Sequence, residues 1–140
     1  MKVRFVGAIG TVTGSCSWLK YDRTNLQFLV DCGMYQGEGD AERRNRAKFP
    51  FEASELDFVL LTHAHMDHCG LIPRLYREGF SGKVYCTKAT AELSKLMLED
   101  ASGHDGCPYT RHDVQGIRFE CVDEWRSFGW SRWMPIEDGL

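Results

Sequence analysis

The sequence has 140 residues, enough for one domain with a buried core. Its hydrophobic (43%) and charged (26%) fractions are typical of a soluble globular protein. A net charge of −3 argues against a protein that binds nucleic acid through one broad basic face, so any nucleic-acid contact is expected to be local or to come from other parts of a longer protein. The longest apolar run, residues 58–61, is far shorter than the ~20 residues of a membrane span, and the N-terminus lacks signal-peptide features. We therefore predict a cytoplasmic protein with no membrane partner.

The six cysteines argue against two common cysteine motifs. No pair has C-x-x-C spacing, which excludes a zinc ribbon and a thioredoxin-type motif. Disulfides are rare in the cytoplasm, so we predict small and mostly buried thiols instead.

The first third of the chain has an alternating pattern that predicts strands. Residues 3–7 predict a half-buried strand, and residues 17–21 and 26–30 predict two strands joined by a turn over residues 22–25. Residues 7–15, between the first and second predicted strands, form a glycine-rich loop with three glycines among small residues. Such a loop lets the backbone approach another group closely.

The next segment is charged, and a buried strand follows it. Residues 38–48 predict a surface helix or an ordered loop. The basic run 43–46 in it could contact phosphate, although a solvated face is the simpler interpretation. Residues 56–62 form a nearly continuous apolar run, as in a strand covered on both faces. A helix is predicted over residues 69–78, with Leu71, Ile72, Leu75 and Tyr76 on its buried face and Gly79 ending it.

The last third begins with clear signals that then weaken. Residues 83–86 predict a strand, and Thr87 is an N-cap for a helix over residues 89–100. Its core stripe is predicted to be Leu93, Leu96, Met97 and Ala101. Residues 102–106 predict a loop and residues 110–115 a short helix. Residues 124–133 hold three tryptophans with no firm period.

Three histidines and an aspartate fall within six residues after the buried strand: His63, His65, Asp67 and His68. Zinc takes imidazole nitrogen and carboxylate oxygen as ligands. Residues two apart on an extended segment point to the same side, so His63 and His65 can converge on one metal. Asp67 and His68 project differently and can serve a second. The sequence therefore predicts a two-metal site, which is typical of enzymes that displace an oxygen leaving group.

Residues 62–70 resemble the H-x-H-x-D-H signature of the metallo-β-lactamase superfamily. That resemblance implies an α/β fold, the αββα sandwich, and a hydrolase. The motif does not choose among β-lactamases, thioesterases, lactonases, phosphodiesterases and nucleases. Residues 10–15, 31–37, 45–46, 49–51, 70–75, 84–87 and 98–101 are similar to the β-CASP RNA nucleases, a branch of the superfamily.

The resemblance implies a role for each matching residue. His63 and His65 bind the first zinc, and Asp67 and His68 bind the second and form the catalytic pair. Asp67 also orients the attacking hydroxide. Asp31 fixes a ligand histidine from behind. The loop of residues 10–15 lies beside the metals. The partner is single-stranded RNA, the cofactor is two zinc ions per complete site, and manganese or iron suits the same ligands.

The sequence departs from the family after residue 101. The third metal motif and the β-CASP insert are absent, so residues 1–140 are predicted to be a partial metallo-β-lactamase-like domain, the N-terminal half of the sandwich. His104 and His112 are better explained as surface histidines than as substitute ligands. Three functions stay open: an RNA endo- or exoribonuclease, a hydrolase of a thioester, lactone or small phosphodiester, and a non-catalytic truncated product.

Overall fold

A computed structural model describes residues 1–37 and 39–122 of the chain. They contain one six-stranded sheet in which the strands lie in chain order. The strands are β1 (Lys2–Phe5), β2 (Ser17–Tyr21), β3 (Leu26–Val30), β4 (Phe58–Leu60), β5 (Lys83–Cys86) and β6 (Phe119–Cys121). The helices are α1 (Ala41–Arg46), α2 (Met66–Cys69), α3 (Ile72–Arg77), α4 (Lys88–Ala101) and α5 (Arg111–Gln115), with a 3₁₀ turn at Ala53–Glu55.

The sheet is mixed, and the pairing changes from antiparallel to parallel at β3. β1, β2 and β3 pair antiparallel, whereas β3 to β6 run parallel. Parallel neighbours need crossover connections, and helices supply them here. The carboxyl ends of β3, β4 and β5 consequently meet at one edge, which is where open α/β sheets place ligands. The predicted α/β fold class is confirmed by this sheet and its helices.

The two strands predicted at residues 17–21 and 26–30 and the strand at 83–86 are confirmed at their exact bounds. The predicted half-buried character of the first strand is wrong, because all four residues of β1 are exposed. β1 is an edge strand that pairs only with β2. The charged segment does contain the short surface helix α1. The Trp-rich segment 124–133 lies outside the described residues.

The single helix predicted over residues 69–78 is two short helices, α2 and α3. Leu71 separates them, because its N–H donates to the Cys32 carbonyl at 2.9 Å instead of continuing a helix. Pro73, which has no N–H, is tolerated in the first turn of α3. Gly79 ends α3 at a φ of 100°, with the paired hydrogen bonds of a Schellman motif, Gly79 to Tyr76 and Phe80 to Leu75.

The predicted core stripe of α4 is wrong. Leu93 and Leu96 are 49% and 68% exposed, while the buried residues are Ala91, Ser94 and Leu98. α4 contacts α2, α5 and β6. Small side chains at 91 and 94 let the helix backbone approach these elements closely, so the inward face consists of these small residues and Leu98 instead of the predicted leucines. The predicted N-cap is confirmed, since Thr87 Oγ1 accepts from the Thr90 N–H.

The core lies between the sheet and its helices. Its fully buried side chains include Leu29, Val59, Ile72, Leu75, Val84 and Leu98. Among the cysteines, Cys16, Cys32, Cys69 and Cys86 are buried and Cys107 and Cys121 are partly exposed, as predicted. No helix in the described part of the chain is long and apolar enough to cross a membrane.

Candidate metal centre

The segment from His63 to His68 leaves the carboxyl end of β4 and turns into α2. Its backbone carbonyls are held by two other segments. Ser15 N–H donates to the Asp67 carbonyl at 2.7 Å, Cys32 N–H donates to that of His68 at 2.8 Å, and Met34 N–H donates to that of Met66 at 3.0 Å. The glycine-rich loop and the end of β3 thus fix the backbone from which the motif side chains project.

This close packing depends on Gly33. A Cβ at this residue would lie 1.7 Å from the Asp67 carbonyl oxygen and 2.7 Å from the His68 nitrogen. Gly33 N–H also donates to the Ser15 carbonyl at 2.8 Å. Only glycine lets the chain after β3 touch both the motif and the glycine-rich loop. The role of Gly33 cannot be seen in the sequence, because the clash involves residues more than thirty positions away.

The four motif side chains lie together in two close pairs. His63 Nε2 is 3.2 Å from His65 Nδ1, and His68 Nε2 is 3.7 Å from an Asp67 carboxylate oxygen. The rings of His63 and His68 have centroids 4.0 Å apart, which brings the two pairs into contact. The side chains of Asp67 and His68 are 21% and 24% exposed, so solvent or a ligand can reach them.

Asp31 lies behind these side chains and is nearly buried, at 3% exposure. Its carboxylate accepts hydrogen bonds from the Thr62 N–H (2.9 Å) and the Thr62 hydroxyl (2.9 and 3.0 Å to its two oxygens). It also contacts His68 Nδ1 at 2.8 Å. Asp31 adopts a left-handed φ of 60°, which costs an L-residue roughly 1–2 kcal/mol but is tolerated best by aspartate and asparagine.

These contacts assign the protons on two histidines. Since the Asp31 carboxylate only accepts, His68 donates from Nδ1–H, and in the neutral ring Nε2 is the lone-pair nitrogen, on the side of Asp67. The Thr62 hydroxyl donates its one proton to Asp31, and its oxygen therefore accepts a hydrogen bond from His63 Nδ1 at 2.9 Å. The Nε2 lone pair of His63 is then left facing His65. Thr62, which the sequence analysis passed over, carries the effect of Asp31 to His63.

The donor atoms suit a metal ion in type and spacing, but they form two separate pairs and not a complete set of ligands. Two ligand atoms at ~2.0–2.1 Å from a tetrahedral zinc lie roughly 3.3 Å apart, close to the His63–His65 nitrogen separation of 3.2 Å. Within residues 1–37 and 39–122, however, no three or more His, Cys, Asp or Glu side chains form a group that could hold an ion. The described residues thus bring candidate donors together in two pairs.

Cys69 directly follows the motif without contributing a donor to it. Its thiol contacts the Ala64 carbonyl at 3.3 Å. Burial raises the pKa of Cys69 to about 11. The thiol is therefore protonated at neutral pH and directed at backbone.

The region where residues 31–33 meet residues 62–68 is called the metal corner. The remaining candidate residues lie away from it. His104 is exposed and lies 3.7 Å from Asp100, and His112 is exposed on α5. Arg43 binds the Asp40 carboxylate through two hydrogen bonds, and Arg46 pairs with Glu42 at 3.3 Å. For Arg43 and Arg46, the interpretation of a solvated, ion-paired face is the better one.

Residues 9–130 match the family model of the metallo-beta-lactamase superfamily. The chain belongs to the metallo-β-lactamase superfamily. Ribonuclease TTHA0252 of Thermus thermophilus is 48% identical over 101 residues, which cover 72% of this chain and 22% of that protein. Transcription termination factor FttA of Methanocaldococcus jannaschii is 36% identical over 120 residues, covering 82% and 19%. The Integrator complex subunit 11 homolog of Dictyostelium discoideum is 34% identical over 106 residues, covering 71% and 14%.

These relatives are β-CASP RNA nucleases of the superfamily, which confirms the resemblance drawn from the sequence. The chain spans about a fifth of their length or less. A solved metallo-β-lactamase of Cronobacter sakazakii with an HARLDQ motif has the same fold, with a TM-score of 0.54 at 20% identity. The match covers 85% of this chain and 42% of that one.

Proposed function

We propose that this chain carries part of the metal centre of a zinc-dependent hydrolase that cleaves phosphodiester bonds in RNA. The observation that carries the proposal is the hydrogen-bond network around Asp31, which leaves the Nε2 lone pairs of His63 and His68 facing the other motif donors. Metal-binding histidines characteristically donate their other ring N–H to a carboxylate in this way. The name of the ribonuclease relative supports RNA as the substrate.

In this proposal His63 and His65 hold one zinc, and Asp67 and His68 hold the second. Zinc at this corner would supply a Lewis acid for a phosphoryl oxygen and would lower the pKa of an attacking water toward neutrality. The described residues give each ion two donors, so further ligands must complete each site. Manganese and iron suit the same nitrogen and oxygen donors.

In this proposal, other residues of the chain orient the histidine rings and keep a proton on the nitrogen that does not bind metal. Asp31 keeps one proton on His68 Nδ1 and, through the Thr62 hydroxyl, another on His63 Nδ1. This prevents either ring from flipping its donor nitrogen away from the corner. The Asp67 carboxylate, 21% exposed, is placed to accept a hydrogen bond from the water that attacks phosphorus. Asp67 and His68 are therefore the proposed catalytic pair.

Zinc content and hydrolysis measured on the same preparation test the proposal. We expect the purified chain to bind zinc, measured by metal analysis after dialysis, and we expect any cleavage of an end-labelled single-stranded RNA to require zinc. Chelation should abolish cleavage and zinc should restore it. His63→Ala should weaken zinc binding at least about tenfold, in line with the loss of a metal-site group.

His112→Ala is the matched control, since it removes an exposed histidine of α5 that has no contact with the motif. It should leave zinc binding and RNA cleavage unchanged. Cleavage of a thioester, lactone or small phosphodiester with RNA left intact would contradict the proposed substrate. A chain that holds less than one zinc, with no change on His63→Ala, would identify a non-catalytic product.

A further inference from the structure

A cavity of about 380 Å³ lies beside the metal corner without including any of its histidines. It is bounded by the end of β1, the glycine-rich loop, Tyr35, and the segment from α1 to Pro50. Gly33 lines it from one side and packs against Asp67 on the other. The cavity therefore adjoins the proposed active site, and its size is in the range of small-ligand sites.

The charge of this cavity is opposite to that of the chain. Three cationic side chains line it, those of Arg4, Arg44 and Lys48, and none of the described residues that line it is acidic. Lys48 is paired with Glu52 at 3.2 Å, so Arg4 and Arg44 supply the uncompensated charge. The whole chain carries a net charge of −3. A concave surface lined by one sign of charge concentrates ligands of the opposite sign, so this cavity attracts anions.

Arg44 differs from its neighbours in the basic run. Arg43 and Arg46 are bound by Asp40 and Glu42, whereas the Arg44 guanidinium lies 3.9 Å from the centroid of the Tyr35 ring. Within the described part of the chain, the side chains of Arg44 and Arg4 make no hydrogen bond or ion pair. Stacking on Tyr35 holds the Arg44 guanidinium in place while leaving its N–H groups for a ligand.

An aromatic side chain at the rim adds a second recognition element. Phe5 lines the cavity and is 66% exposed. Single-stranded nucleic acids are bound by grooves that combine cations for the phosphates with exposed aromatic rings on which bases stack. Arg4, Arg44 and Phe5 supply both elements within one cavity.

From this arrangement we infer a single-stranded RNA binding groove, in which Arg4 and Arg44 contact backbone phosphates and a base stacks on Phe5. The choice of RNA rests on the proposed function, whereas the phosphate and base chemistry rests on the cavity itself. The groove would hold a segment of the strand outside the metal corner. It binds RNA without metal, because none of the metal donors takes part.

Binding in the presence of EDTA tests the groove separately from catalysis. Fluorescence anisotropy of a labelled single-stranded RNA of roughly 10 nucleotides gives the Kd across about 50 to 200 mM salt. The double variant Arg4→Gln/Arg44→Gln should weaken binding about tenfold at the lower salt. The slope of log Kd against log salt should fall by about 1.4, as expected for two lost phosphate contacts to a single strand.

The matched control is Lys2→Gln/Arg43→Gln, which removes the same charge from the same two elements. Lys2 and Arg43 do not line the cavity, and both are ion-paired. The control should bind within about twofold of the parent chain with only a small change in salt slope. Equal losses in both double variants would overturn the proposal, since they would show attraction by overall charge alone.

Phe5→Ala tests the base contact. The parent chain should prefer the RNA to an abasic strand of equal length, and Phe5→Ala should remove that preference while keeping the salt slope. An acidic peptide that displaces the RNA at equal phosphate and carboxylate concentrations would contradict the groove. Zinc-dependent cleavage is measured separately, so its absence would reject the proposed function without affecting this result.

Discussion

The metal corner and the outer face of α4 are built on opposite principles. At the corner, where residues 31–33 meet residues 62–68, backbone groups and a buried carboxylate from three separate segments hold one another. On α4, the leucines at 93 and 96 contribute little to the core and small residues pack inward. The structure is therefore most constrained where distant segments converge, and substitutions should have much larger effects at the metal corner than on the outer face of α4.

The largest effect is expected for Gly33→Ala. The new Cβ would lie 1.7 Å from the Asp67 carbonyl oxygen, and backbone on both sides would have to move. Overpacking typically costs about 1–3 kcal/mol and occasionally more, and a clash between backbones belongs at the upper end. We expect the free energy of unfolding, from urea denaturation followed by circular dichroism, to fall by about 3 kcal/mol or more.

Gly103→Ala is the control for this substitution. Its Cβ would meet nothing nearer than the Asp100 carbonyl oxygen at 3.4 Å, an ordinary contact. The stability of this variant should stay within about 0.5 kcal/mol of the parent chain. Equal stability for the two alanine variants would show that the chain after β3 is not tightly held against the motif.

An intermediate effect is expected for Asp31→Asn. The amide keeps the shape of the carboxylate but removes the charge that accepts from Thr62 and His68. Hydrogen bonds to charged groups contribute about 1.5–3 kcal/mol, so the free energy of unfolding should fall by about 2–3 kcal/mol at neutral pH. Zinc affinity, measured by competition with a chelating dye, should fall about 10–100-fold.

Asp57→Asn provides the comparison, because the carboxylate of the exposed Asp57 accepts from the Gln27 N–H at 2.7 Å at the amino-terminal end of β4, opposite to the motif. This substitution should cost stability without changing zinc affinity. If both variants lowered zinc affinity equally, the loss would reflect general destabilisation, and Asp31 would have no specific role in orienting the histidines.

The sequence was sufficient where local rules decide the structure. The strand of residues 17–21 with its hairpin partner and the N-cap at Thr87 depend on neighbouring residues, and both were predicted correctly. The break between α2 and α3 was missed because the Leu71 N–H finds its acceptor in Cys32, thirty-nine positions away. Thr62 was missed for the same reason, since its role depends on Asp31.

The motif residues themselves could be named from spacing alone, because zinc chemistry restricts the donor types so strongly. Their grouping into two pairs was predicted from the spacing, whereas the geometry that holds the pairs at 3.2 and 3.7 Å could not be read from the sequence. It follows from how the backbone after β4 is held by Ser15, Cys32 and Met34. The metal roles of these residues stay predictions, and Asp31 and His63 are the positions at which to test them.

The smallest effect is expected on the outer face of α4, where hydrophobicity alone predicts a large one. Leu96 is 68% exposed, so Leu96→Gln removes little buried apolar surface and retains good helix propensity. The free energy of unfolding should change by no more than about 0.5 kcal/mol. Leu98→Ala, two residues along the same helix at 0% exposure, should cost about 2–5 kcal/mol. Urea denaturation of the two variants measures both values, and a loss at Leu96 as large as that at Leu98 would mean that α4 packs through the leucine stripe that its sequence suggested.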